Sequence, residues 1–225
     1  MNDNSSVTEL SRCVSNTCSG ACSEQEKTME LTGREFWTLI HGMVLGATFL
    51  LGFGGGFAGL YSYTPEWLTR EGIRERFVRL DVGTGLMALA SWLTVITGTW
   101  IVYPWYRARP PAELAGAVDN YAKTGQALSP EQLSALQNEF PRWYLLAQEK
   151  TALWHEFGME WKEHVAWISP LLATVVFFAV LYYGPRLAYE PRIRQTLMII
   201  FVLSFVAAGI AGLFGALITK AAPIL

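Results

Sequence analysis

VAWISPLLATVVFFAVLYYGP, residues 165–185, contains no Asp, Glu, Lys or Arg. A helix of about 20 such residues, rising about 1.5 Å per residue, crosses the roughly 30 Å of hydrocarbon in a bilayer. Three more stretches, 36–65, 82–106 and 195–219, are equally free of those residues. In lipid each backbone N–H and C=O must be satisfied within its own segment, so four such stretches predict four helices. The reading is an all-α polytopic membrane protein, a four-helix bundle with spans at about 36–63, 82–106, 163–184 and 195–219.

Composition agrees. Hydrophobic residues make up 52% of the 225 and charged residues 16%, against roughly 25% charged in soluble proteins. That excludes a soluble enzyme, a secreted disulfide scaffold and a nucleic-acid binder. A formal net charge of -2 gives no sign of a polyanion partner. Residues 1–30 are rich in Ser, Asn, Thr and Glu and hold no aromatic residue, the composition of a disordered tail. They show no basic segment followed by an apolar run and a cleavage site, so the first span is expected to do the targeting. Cys13, Cys18 and Cys22 lie in this tail at spacings that match neither c-type haem attachment nor a four-ligand zinc site.

Orientation follows from the basic residues flanking the spans. Arg70, Arg74, Arg76 and Arg79 crowd the first loop, and Arg186, Arg192 and Arg194 the third. Both loops are expected in the cytoplasm, with both termini and the long loop 107–150 outside, in the cell membrane. Trp37, Trp100, Trp105, Trp154, Trp161 and Trp167 fall near the outer interface, as an aromatic belt does. Within the outer loop, Arg109-Pro110-Pro111 stops helix 2. Ser129-Pro130-Glu131-Gln132 starts a short helix, with a Ser N-cap and Pro at N1, and Pro141 ends it. The third helix is expected to begin well outside the membrane. The halves echo one another: His41 precedes Tyr61 and Tyr63, as His164 precedes Tyr182 and Tyr183, and each half then carries an Arg-x-Arg. Two parallel hairpins related by a pseudo-twofold would produce this.

The chain has three histidines, and ionisable groups bordering a membrane core are functional candidates. Counting outward from Tyr63 and Tyr183, His41 lies about 33 Å and His164 about 28 Å along their helices. His155 lies about 13 Å beyond His164. Two imidazoles at one level on different helices can clamp a b-type haem iron from both faces. Gly42 and Gly46 beside His41, Thr97-Gly98-Thr99 on helix 2, and Gly209, Gly212 and Gly215 on helix 4 offer room for a porphyrin. Lys162, Arg107, Arg109 and Lys220 supply cations for its propionates. The same glycines also read as packing: Gly42-x-x-x-Gly46, Gly52-x-x-x-Gly56 and Gly55-x-x-x-Gly59 let helices approach closely.

A second constellation competes. Glu156, Glu160 and His164 recur at four-residue spacing, and with His155 or His41 they present N and O ligands for Zn, Mn or Fe, or a proton relay. The alternative there is a solvated helix start with acids at its N-terminus. Met159 reads as an apolar packing residue or a soft ligand.

Four helices with histidines near the outer ends of the first and third resemble the membrane-anchor b-type cytochromes of respiratory complexes, over about 150 residues. The resemblance implies one outward-side haem b, partner subunits of a redox complex, and electron passage between quinol and an outward partner. The chain departs from two-haem cytochromes in lacking a second histidine pair toward the inner face. Three functions follow: an electron-transfer subunit holding haem b through His41 and His164, a cofactor-free structural or assembly subunit, or a metal or proton pathway. No nucleophile triad, phosphate loop or nucleotide fingerprint points to an enzyme with its own substrate.

Overall fold

The computed structural model describes residues 32–66 and 68–221. The three tail cysteines and the expected disorder of residues 1–30 lie outside them. Four long apolar helices run through the chain: α1 (Gly33–Ser62), α2 (Arg70–Tyr106), α6 (Glu149–Tyr189) and α7 (Pro191–Ala221). Between α2 and α6 lie α3 (Ala112–Thr124), α4 (Pro130–Glu139) and α5 (Pro141–Leu146). Successive long helices pack side by side and α7 returns to α1, which closes a four-helix bundle.

Local chemistry sets the boundaries. Thr32 caps α1 in a capping box with Glu35, and Thr69 caps α2 by accepting from the Gly72 N–H. Ser129 and Gln132 form the capping box of α4, with Pro130 at its first turn. Pro141 opens α5 after α4 has ended at Glu139. Gly125 closes α3 at φ 72°, a left-handed conformation that glycine adopts at little cost. In α6, residues 165–167 leave the helix. Pro170 has no N–H and its ring crowds the carbonyl of residue 166, and tighter bonds from Ile168 N to Val165 O and from Ser169 N to Ala166 O take over. The α2 helix starts at Arg70, twelve residues before the apolar stretch, and α6 at Glu149, well before its own.

The two ends of the bundle differ in construction. Toward the arginine loops the helices touch through glycine. A Cβ on Gly52 would stand 2.9 Å from the Met87 nitrogen, and one on Gly83 would stand 3.2 Å from the Gly56 nitrogen. Phe53 stacks on Phe205 at 4.1 Å and tilts against Phe201 at 5.4 Å. Met87, Leu60, Leu80, Val176 and Val180 are fully buried around them. Arg194 joins the two arginine loops, its Nη1 donating to Tyr63 O at 3.0 Å and Ala188 O at 3.1 Å. The buried Tyr63 hydroxyl donates to Ile73 O at 3.1 Å. Outward from this core the surface is apolar. Leu51 is 75% exposed, and Val82, Phe178 and Ile199 are exposed too, which suits contact with lipid.

At the opposite end α3, α4 and α5 form a cap with its own core of Val118, Leu136 and Ala147. Tyr106, Leu145, Met159 and Ile218 join the cap to the bundle. Met159 is thus a packing residue in this structure.

Candidate functional site at the cap end of the bundle

Three of the four long helices are interrupted by π turns toward the cap: Ile40–Val44 in α1, Gly98–Val102 in α2 and Trp154–Met159 in α6. A π turn inserts one residue and re-aims the side chains around it, and such turns concentrate at functional sites. Pro104 lies just beyond the second of them. Around these turns stand His41, Tyr103, Tyr106, His155, Lys162 and Glu163, in a segment that a purely structural membrane bundle would fill with apolar residues.

His41 is half-buried on its π turn. Its Nδ1 lies 3.1 Å from the Thr97 hydroxyl oxygen. That hydroxyl donates its one proton to Leu93 O at 2.7 Å, so it accepts from His41. The Nδ1 therefore carries the imidazole proton, and the Nε2 lone pair has no hydrogen-bond partner among the described residues. Gly98 makes room for the ring: a Cβ there would stand 2.7 Å from His41 Cε1. The Lys162 ammonium is near enough to act electrostatically on His41, and it lies over Gly215, where a Cβ would stand 2.9 Å from Nζ.

His164 repeats the bonding but not the setting. Its Nδ1 lies 3.0 Å from the Glu160 carbonyl, which can only accept, so Nε2 is again the free nitrogen. Its side chain is 72% exposed and is 3.5 Å from the Glu160 carboxylate. No contact joins His164 to His41 among the described residues.

His155 has neither nitrogen free. Arg142 Nε donates to its Nε2 at 3.2 Å, so its proton sits on Nδ1 and is donated to the Tyr106 hydroxyl oxygen at 2.8 Å. It is a buried strut between the cap and α2. Nearby, Tyr103 and Glu163 interact without a hydrogen bond of good geometry, and the Tyr103 hydroxyl, Glu163 Oε1 and Trp161 Nε1 are buried without partners. Arg107 lies over the Tyr103 ring at 5.2 Å.

The proposed metal set is not assembled. Glu156 and Glu160 are exposed while His155 is buried and committed, and no group of three metal-ligating side chains occurs among the described residues. The haem set divides. His41 and His164 both have the donor chemistry of an iron ligand. Gly42, Gly46, Gly209 and Gly212 face open space, with nothing within 4 Å of a Cβ. Gly98 and Gly215 are instead taken up by His41 and Lys162. The donor set fits a haem iron, and no contact between the two imidazoles occurs among the described residues.

Sequence reasoning missed Tyr103, Tyr106, Arg142 and Glu163. The signal was present in Tyr103-Pro104-Trp105-Tyr106, where two phenols flank a helix-disrupting proline at the end of an apolar span. No family model matches the chain, and comparison with curated proteins and solved structures finds no match either.

Proposed function

We propose that this multi-pass membrane protein is an electron-transfer subunit of a larger redox complex, holding one b-type haem at the cap end, with the cap and both termini facing outward. The observation that carries the reading is the state of the histidines. His41 and His164 each donate Nδ1–H to the protein and present a bare Nε2, while His155 presents nothing. Which ring nitrogen binds a metal is set by the bond the other makes. A bound haem supplies one-electron redox chemistry. Thr97 fixes the His41 tautomer, Gly98 admits its ring, and Lys162 and Arg107 are the cations for propionates. Quinol remains the electron source this reading favours, with the acceptor on a partner subunit. The arginine loops support the orientation.

A second reading rests on a different observation: no contact joins His41 to His164 among the described residues. This favours a cofactor-free structural or assembly subunit of a membrane complex.

Absorption spectra of the purified full chain, oxidised and dithionite-reduced, separate the two. The haem reading expects a sharp reduced α-band, abolished in His41→Ala and His164→Ala and retained in His155→Ala. A chain supplied with haem that shows no band overturns it and leaves the structural-subunit reading.

A further inference from the structure

At the arginine end a cleft of about 310 Å³ opens between α1 and α2. Gly55, Ala58 and Gly59 form its floor, Ser62 its end, and Arg76 and Arg79 its rim. Arg76 is fixed over it, because Nη1 donates to the Ser62 hydroxyl at 2.8 Å. Arg79 lies one helical turn deeper, about 4.5 Å nearer the bilayer centre. It is exposed, with the exposed Val78 and Val82 beside it. Neither Glu71, Glu75 nor Asp81 makes an ion pair with either arginine among the described residues. Two guanidiniums that make no ion pair among the described residues thus line one cleft at the border of an apolar surface.

We propose that this cleft binds the headgroup phosphate of an anionic phospholipid. Guanidinium matches a phosphate with paired N–H donors and is weakly hydrated, which suits it to the edge of hydrocarbon. Small side chains on the floor let the glycerol and first acyl carbons lie against the α1 backbone, and the chains continue over Leu51 and Val82. A free anion would find the same guanidiniums but nothing for that floor. The occupant is a lipid because the cleft opens onto the lipid-facing surface. It is an anionic lipid because two cations exceed the charge of a zwitterionic headgroup. The site is independent of any haem at the other end.

Native mass spectrometry of the full chain in detergent, titrated with phosphatidylglycerol or with phosphatidylcholine of the same acyl chains, tests this. The unaltered chain should retain phosphatidylglycerol at roughly thirty-fold lower lipid concentration, about what two interfacial cations contribute. The double variant Arg76→Gln, Arg79→Gln should bind both lipids alike. Ala58→Leu, which fills the floor and keeps both charges, should lose most of the preference as well. Equal retention of both lipids by the unaltered chain overturns the proposal, and so does an undiminished preference in the double variant. Displacement of the lipid by equimolar glycerol phosphate would make the ligand a free phosphate and overturn it too.

Discussion

The two ends of this bundle solve opposite problems with the same residue. Toward the arginine loops, glycines are contact points. Gly52 and Gly83 bring α1 and α2, and Gly56 brings α1 and the Phe201 ring of α7, so close that a single added carbon meets backbone or ring atoms within about 3 Å. Toward the cap, an added Cβ on Gly42, Gly46, Gly209 or Gly212 would meet nothing within 4 Å, Gly98 and Gly215 give their space to the polar His41 and Lys162, and the helices carry π turns. Close glycine packing gains dispersion and excludes lipid. Glycine beside open space gains neither, and it costs helix stability relative to alanine. The contrast marks the first end as the part that holds the bundle together and the second as the part arranged for something else.

The largest expected effect tests the packed end. In Gly52→Val, the new Cβ lies 2.9 Å from the Met87 nitrogen and 3.1 Å from its Cα, both backbone atoms that cannot rotate away. Overpacking of this kind costs about 3 kcal/mol or more, since whole helices must separate. The variant should lose its monodisperse size-exclusion peak in detergent, or lose it at a markedly lower temperature than the unaltered chain. A thermal profile equal to the unaltered chain would mean the two helices are not held together there, and the contrast between the ends would fail.

How much of this was legible follows the same division. Charge-free length alone indicates four helices, because that property depends only on the solvent the chain must cross. Helix ends were less legible. The first turns of α2, from Arg70, are polar and project beyond the hydrocarbon, so an apolar count begins too late. The α3 helix was missed although Leu114, Val118 and Tyr121 recur at helical spacing and Gly125 closes it. Gly116 in the middle and the Pro110-Pro111 pair just before it disguised the pattern. The site was legible only as residue types. Depth counting placed His41 and His164 at one level, but a π turn in α1 and the break before Pro170 in α6 change where each ring faces. No one-dimensional count contains that rotation. His155 illustrates the limit best: its distance along the helix says nothing of its commitment to Tyr106 and Arg142, which come from segments 49 and 13 residues away.

A middle-sized effect belongs to the joint between cap and bundle. Tyr106→Phe removes the acceptor of the His155 Nδ1–H and leaves a buried donor unpaired, which costs about 1–3 kcal/mol. The phenyl ring keeps its place against Leu145 and Ile218, so the loss should fall on the hydrogen bond. Hydrogen exchange of amides in residues 112–146 should quicken by roughly ten-fold or more, while those of residues 171–183 stay as slow as before. Uniform quickening of both regions would mean that cap and bundle unfold as one unit.

The smallest expected effect is the most telling about the cap end. Gly46→Ala places a methyl group where nothing lies within 4 Å, in a helix where alanine is preferred. On the structure alone the substitution stabilises by about 0.5–1 kcal/mol through the entropy lost by a more flexible residue. It should therefore raise the thermal midpoint by a few degrees at most and leave every other property unchanged. The sign depends on the space beside Gly46 being filled by lipid or by nothing. If a porphyrin edge occupies it, the methyl group competes with the ring: the variant then loses the reduced α-band or shifts it, and the stability gain reverses. A stabilised variant with an intact band would place the haem on another side of His41. A stabilised variant of a chain with no band at all would leave Gly46 as a residue facing lipid, with no ligand for its small size to admit.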